Sequence, residues 1–487
     1  MSDPRARLRT GIAGLDDVLY GGLTPNRLYL LEGKPGSGKT TLALQFLLEG
    51  VRNREPVLYV TLSETAEEIT AVADSHGWTL DGIHVRELMP AEELLNPNAQ
   101  YTVFHPSEVE LSETTKKILS DVDVVKPRRI VLDSLSEVRL LSGNALRYRR
   151  QILALKQYFI GRECTVMMLD DLTSHDNDLQ VQSITHGAIL LEHALPTFGK
   201  VRRRLHVTKY RGSDFRGGFH DYVIERGGLR VFPRLVAAEH RQSSSRERLR
   251  SNIVGLDSLM GGGLERGTST LVQGAAGTGK STIAALFAAS AAERGERTAM
   301  FIFDESKNTL FSRMAGLGVD LRQYDQNGTI TVTQIDPAEM SPGELASVVR
   351  ASVDQGGASI VVIDSLNGYL QSMPDENFLI VQLHEMLSYL GQLGVASLLV
   401  SAQQGLMGTQ MTSPVDVSYL ADTVVMLRYY EDRGEVKQAV SVVKMRGGQH
   451  ERTIREFRMH DGRVTVGEPL RNYRGVLSGI PVRIEQE

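Results

Sequence analysis

Gly33-Lys34-Pro35-Gly36-Ser37-Gly38-Lys39-Thr40 recurs downstream as Gly274-Ala275-Ala276-Gly277-Thr278-Gly279-Lys280-Ser281. Both copies fit G-x-x-x-x-G-K-[ST], follow an apolar stretch that reads as a buried strand (27–31 and 268–272), and open a helical run. The glycines let consecutive backbone N–H groups converge on phosphate oxygens at the positive end of that helix. Gly33, Gly36, Ser37, Gly38 and Thr41, with Gly274, Gly277, Thr278, Gly279 and Thr282, are therefore expected to cradle nucleotide phosphates. Lys39 and Lys280 would neutralise the terminal phosphates, and the hydroxyls of Thr40 and Ser281 would coordinate a phosphate-bridging magnesium ion.

The repeat extends outward from these loops. Gly14 and Gly255, like Lys39 and Lys280, lie 241 residues apart. Each half next supplies an apolar run ending in an acid, 57–64 with Glu64 and 298–305 with Asp304 and Glu305, at the same spacing. A further run ends in Asp133-Ser134 and in Asp364-Ser365, and apolar runs at 165–169, 395–400, 188–191 and 423–427 follow. Near-continuous apolar strands alternating with helical stretches indicate an α/β fold, a parallel sheet covered on both faces, in each half. The polar, serine-rich stretch after Leu235 reads as a linker, so the expected domains are 1–236 and 251–487, joined by 237–250.

A chain of 487 residues is too long for one ordinary core. Its 41% hydrophobic and 23% charged residues are those of a soluble globular protein. No apolar run is long enough for a membrane span, nothing near Met1 resembles a signal peptide, and Cys164 is the one cysteine. A cytoplasmic location without membrane association is expected. The formal charge of -5 gives no general attraction for nucleic acid or anionic lipid. The basic run 202–204 alternates with apolar residues and reads as a strand edge or a subunit contact with solvated arginines.

Phosphoryl transfer needs a metal, a positioned nucleophile and positive charge at the transferring group. Asp133 and Asp364 are placed to hold magnesium through water, unless they only cap strands. Glu64 and Glu305 are placed to orient or deprotonate an attacking water or hydroxyl, unless they are solvated acids. Lys209-x-Arg211-Gly212 and Lys444-x-Arg446-Gly447 repeat late in the halves. Alternate positions put each pair on one strand face, as a phosphate-sensing pair or as a surface ladder.

Taken together, the opening Gly-Leu-Asp stretches, both loops, the acids after them, both Asp-Ser pairs and both Lys-x-Arg-Gly strings resemble the KaiC family of double-domain ATPases and autokinases. The stretch 470–481 is similar to that family's C-terminal loop. The resemblance covers most of the chain and implies two tandem RecA-like P-loop domains, each a mostly parallel sheet flanked by helices. It further implies a homohexamer of two stacked rings with ATP and magnesium between subunits. Lys209, Arg211, Lys444 and Arg446 would then reach the neighbour's nucleotide. The first domain would hydrolyse ATP, the second would phosphorylate its own chain, and a KaiB-like partner would dock on the first ring. The matching phosphoacceptors are Ser418 and Tyr419, where the family has Ser and Thr. Its paired glutamates are Ser63-Glu64 and Asp304-Glu305 here, which leaves Glu64 alone in the first half. The chain stops soon after Pro481, so control by a KaiA-like activator is not expected. Two other readings of the same core stay open: a RecA-like DNA-dependent motor or recombination factor, against which the acidic balance and missing basic aromatic channel argue, and an ATP-gated hexameric scaffold that passes no phosphate to protein.

Overall fold

Aliphatic runs too apolar for an exposed face become the central strands. The computed structural model describes residues 7–88, 106–172, 179–196, 199–237, 247–370, 376–403, 405, 417–460, 462–478 and 480–484. Two compact units emerge, Met1–Arg234 and Leu235–Glu487.

The strands of the first unit are β1 (Leu28–Gly33), β2 (Val57–Thr61), β3 (Ile83–Glu87), β4 (Arg129–Asp133), β5 (Thr165–Asp171), β6 (Gly187–Ala194), β7 (Arg202–Tyr210), β8 (His220–Glu225) and β9 (Gly228–Phe232). They form one sheet in the order β3-β2-β4-β5-β1-β6-β7-β8-β9. From β3 to β6 every pairing is parallel, and β6 to β9 run antiparallel. The second unit repeats the order with Ile330–Gln334, Arg297–Ile302, Ala358–Asp364, Ala396–Ala402, Ser269–Gly274, Thr423–Asp432, Glu435–Met445, Arg455–His460 and Arg463–Pro469. Each is thus a RecA-like α/β domain with a mostly parallel sheet. In each unit one apolar cluster lies on either side of the sheet's central strands, as the alternate residues Leu30 and Leu31, or Leu271 and Val272, divide between them.

Helix Lys39–Arg52 buries Leu42, Phe46 and Leu47 against its sheet. Its counterpart Lys280–Glu293 is alanine-rich and buried nearly all round, a composition that lets a helix sit close to strands. Arg129, only 1% exposed, ties the layers of the first unit together: it donates to Glu55 Oε2 at 2.6 Å and to the carbonyls of Arg9 at 2.7 Å and Phe46 at 3.0 Å.

Three sequence expectations change in detail. The apolar runs at 57–64 and 298–305 end as strands at Thr61 and Ile302, so Glu64 and Glu305 stand in the turns beyond them. The basic run forms part of β7, which is flanked by β6 and β8 and is not an edge; Arg202 is buried, and Arg203 and Arg204 are half-buried. The antiparallel strands β7 to β9 complete a sheet that is not parallel throughout. Of the expected linker, 238–246 lies outside the described residues, and Arg248–Leu249 pairs with Leu264–Glu265.

Candidate functional site

Both phosphate-binding loops leave the C-terminal end of a fully buried central strand, at Gly33 and Gly274. Gly36 and Gly277 turn the loop, and Gly38 and Gly279 cap the following helices at φ +96° and +98°. A Cβ there would stand 2.5 Å from Ile224 Cδ1 or 2.7 Å from Phe457 Cε1, so only glycine fits. Thr40, Thr41, Ser281 and Thr282 occupy the first helical turns, where free N–H groups gather.

In the first site Lys39 is nearly buried and donates to the carbonyls of Gly33 at 2.9 Å and Lys34 at 3.3 Å. It also pairs with Asp171 Oδ1 at 2.6 Å. Parallel pairing puts Asp171 beside Gly33, at the mouth of the loop. Asp133 ends β4 nearby, and its Oδ2 accepts from the Tyr59 hydroxyl and from Thr40 Oγ1 at 3.5 Å. Burial raises the Asp133 carboxyl above the usual carboxylate range. Burial, with Asp133 adding to it, does the same to Glu64. Glu64 Oε2 is buried with no hydrogen-bond partner among the described residues.

The second site has the same frame with different partners. Lys280 Nζ donates to the Ala275 carbonyl at 2.7 Å, and Ala402 stands beside Gly274 where the first site has Asp171. Burial lowers the Lys280 ammonium, against the opposing pull of Asp364 and Asp304. The Ser281 hydroxyl lies beside Asp364, and burial pushes the Asp364 carboxyl up to about 6. Its Oδ2 has no hydrogen-bond partner among the described residues, since Met300 occupies the position of Tyr59. Asp304 accepts from Ser365 Oγ, and Glu305 Oε1 accepts from Arg313 Nη2 at 2.6 Å. A cavity of about 480 Å³ opens beside this loop, lined by Lys280, Ser281, Thr282, Glu305, Arg313 and Met459 among others. An orphaned buried carboxylate oxygen beside a hydroxyl that directly follows the loop lysine fits a hard cation shared with phosphates.

The Lys-x-Arg-Gly pairs lie at the other end of the sheet. Lys209 pairs with Ala188 and Lys444 with Val424, near the beginnings of β6 and of Thr423–Asp432. The register slips by one residue beside both lysines, which re-aims their side chains. Lys209 Nζ donates to the carbonyls of Gln182 and Thr185, and Arg211 Nη2 to that of Ser183. Correspondingly, Lys444 Nζ donates to the carbonyls of Ser418 and Ala421, both at 2.8 Å, and Arg446 Nη2 to that of Tyr419 at 2.8 Å. The cations thus grip the turn that carries Ser418 and Tyr419, and Asp422 closes it by accepting from the Ser269 backbone N–H at 3.0 Å.

The family model described as ATPase: KaiC matches this sequence twice, over residues 8–236 and 249–471. The chain belongs to the KaiC family. It is 28% identical over 485 residues to the circadian clock oscillator protein KaiC of a Picosynechococcus species, covering 98% of this chain and 93% of that protein. The KaiC of Synechococcus elongatus and the KaiC 1 of a Synechocystis species are each 28% identical, over 98% of this chain and 92% of theirs. ATP binding and ATPase chemistry come with KaiC-family membership, and the loops above are where such a fold holds a nucleotide.

Four residues of this KaiC-family chain escaped the motif reading. Asp171 and Arg313 have no counterpart in the other half, where Ala402 and Val72 stand, so comparison of the halves would have singled them out. Tyr59 was legible only as one tyrosine among strand residues, and Ser365 only as the neighbour of Asp364. No helix among the described residues is long and apolar enough to cross a membrane.

Proposed function

We propose that the first half hydrolyses ATP and that the second transfers the terminal phosphate of ATP to Ser418, and less readily to Tyr419, of an adjacent copy. The observation that carries this reading is the position of the acceptor turn. It is anchored to Ser269, the first residue of the strand whose last residue, Gly274, opens the chain's own phosphate loop. At 3.3 Å per strand residue the two ends are about 17 Å apart, far beyond the 3–3.5 Å of a reacting pair. A hydroxyl so placed can meet only another copy's nucleotide, and head-to-tail repetition of such a contact closes a ring. This supports the homohexamer that the family resemblance implies.

In that arrangement the Ser418 oxygen of one copy attacks the γ-phosphorus, the bond to the β-phosphate bridging oxygen breaks, and ADP departs. The hydroxyl proton passes to Asp304 of the copy that holds the nucleotide, beside Glu305. Lys280 takes up charge on the transferring group, while Lys444 and Arg446 hold the acceptor turn in line. Asp364 and Ser281, or Asp133 and Thr40, would hold Mg2+, which would supply neutralisation of phosphate charge when bound. In the first half, Glu64 is the carboxylate placed to orient water. The relatives' name, circadian clock oscillator protein, supports a phosphorylation-state timer or signalling hub; the family resemblance implies a KaiB-like partner for the first half, and the cytoplasm is the expected place of action.

Peptide mapping by mass spectrometry after incubation with ATP and magnesium tests the reading. Phosphate on Ser418 is expected, and none in Lys280→Ala, which should keep much of the first half's hydrolysis. Mixing Arg446→Ala with a copy carrying Asp304→Asn and Glu305→Gln should restore part of the phosphorylation that each lacks alone. No restoration would mean that each site is complete within one chain, and an unmodified chain that consumes ATP would leave a nucleotide-gated assembly.

A further inference from the structure

Glu64 and Glu305 hold matching places in the two halves, yet their surroundings are opposite. Each precedes a short helix, Ala66–Ser75 or Lys307–Ala315, and the two helices start at the same 241-residue spacing. Within them Val72 of the first half corresponds to Arg313 of the second. Val72 packs against the apolar core. Arg313 instead donates through Nη2 to Glu305 Oε1 at 2.6 Å and through Nη1 to Thr282 Oγ1 at 2.8 Å. Thr282 lies in the first turn of the helix that leaves the phosphate loop, so the guanidinium spans from the acid to the nucleotide cleft, whose wall it helps form. The counterpart of Thr282 is Thr41, whose hydroxyl lies 3.3 Å from His76 Nε2, and Glu64 Oε2 has no hydrogen-bond partner among the described residues, the nearby Lys39 being paired with Asp171 instead.

We propose that Arg313 decides where the terminal phosphate goes at the second site, by holding Glu305 in an ion pair so that water is not activated there and the phosphate passes to a protein hydroxyl. The inference rests on the autokinase reading above. A carboxylate oxygen that accepts a guanidinium N–H at this distance commits that lone pair to a charge-assisted bond, and the bond fixes which way the remaining lone pairs face, holding the group from turning toward an attacking water. Among the described residues the hydrogen-bond partner of Asp304 is the Ser365 hydroxyl, a neutral group that can turn away without leaving a charge unpaired, so Asp304 remains able to accept the proton of the incoming hydroxyl. In the first half the same fold keeps Glu64 uncommitted, and water is the acceptor. Arg313 acts through Glu305 and is therefore a positioning residue.

The test uses the full chain with Lys39→Ala, so that turnover reports the second site, and counts phosphate released to water against phosphate on protein. Arg313→Val, which installs the first half's residue, is expected to raise that ratio about a hundredfold, the low end of what a released general base contributes. Arg313→Gln, which keeps a donor for Thr282, should move it the same way if the valine variant folds poorly, and Arg313→Lys should hold it near the parent value. In a Glu305→Gln background Arg313→Val should change nothing. An unchanged ratio in Arg313→Val and Arg313→Gln, or a rise that persists with Glu305→Gln, overturns the proposal. If the Lys39→Ala parent forms no phosphoprotein, the autokinase reading fails by itself, and the role of Arg313 is then judged by hydrolysis alone, which must rise in Arg313→Val.

Discussion

Replacing Asp171 by alanine, the residue that the second half carries at the same register, should tighten nucleotide binding at the first site. Lys39 is 8% exposed and Asp171 28%, and their ion pair is 2.6 Å long, so an arriving phosphate must displace a carboxylate before the lysine can turn to it. A charge-assisted pair of this kind has a net worth of about 1.5–3 kcal/mol. The partial exposure of Asp171 lets it swing into water once displaced, which argues for the lower end. About 1.5 kcal/mol corresponds to roughly a tenfold gain in affinity at 1.4 kcal/mol per decade. The neighbouring Asp170 keeps its own partner, Arg139, so the change stays local. The assay is titration of a fluorescent ADP analogue into a Lys280→Ala chain, in which the first site dominates binding, with and without Asp171→Ala. Unchanged or weaker binding in the alanine variant would refute the reasoning and mean that Asp171 helps to hold the nucleotide.

Two further outcomes follow from buried cations. Burial, with Arg211 and Lys156 nearby, pushes the Lys209 ammonium down to about 8. A lowered amine holds its proton less tightly in the folded chain, so its contribution to stability grows as pH rises through about 8, while its charge toward an incoming phosphate is lost over that same window. ATP-dependent assembly measured by light scattering should therefore weaken as pH rises through about 8 and should hold in Lys209→Arg; identical profiles would count against a phosphate-facing Lys209. Arg129→Ala removes the ion pair to Glu55 and the bonds to the Arg9 and Phe46 carbonyls, and should destabilise the first unit by about 3 kcal/mol. Trp78 is the one tryptophan and packs against the first unit's core, so its fluorescence during urea unfolding reads that unit directly, and an unshifted midpoint would refute the estimate.

The phosphate loops and the parallel half of each sheet were legible because both depend on local patterns: glycines where a side chain would collide with Ile224 or Phe457, and unbroken apolar runs where a strand is buried on both faces. The antiparallel half was less legible. Strands such as β7 mix arginines with apolar residues because they lie beside a neighbour whose identity depends on topology, and alternation alone reads as an edge. The same holds at the site. Asp133 and Asp364 end strands that any parallel reading would find, but the phenol beside one and its absence beside the other follow from Tyr59 and Met300 on a neighbouring strand. Partners brought together by pairing register carry no spacing signal along the chain.

The internal repeat supplies the signal that spacing lacks, because each half is a control for the other. Around the first phosphate loop stand Glu64, Asp133 and Asp171; around the second stand Glu305, Asp364 and Asp304. The acid missing at Ser63 and the acid missing at Ala402 are each offset by one in the other position, so each site keeps three carboxylates while their places differ. The counterions then diverge. In the first half a carboxylate holds the loop lysine and Glu64 Oε2 has no hydrogen-bond partner among the described residues; in the second the lysine donates to a carbonyl under the pull of Asp364 and Asp304, and an arginine holds the glutamate. Two sheets of one topology can therefore support different fates for the same phosphate, because the chemistry is set by which charge neutralises which, and the fold supplies only the positions from which those charges act.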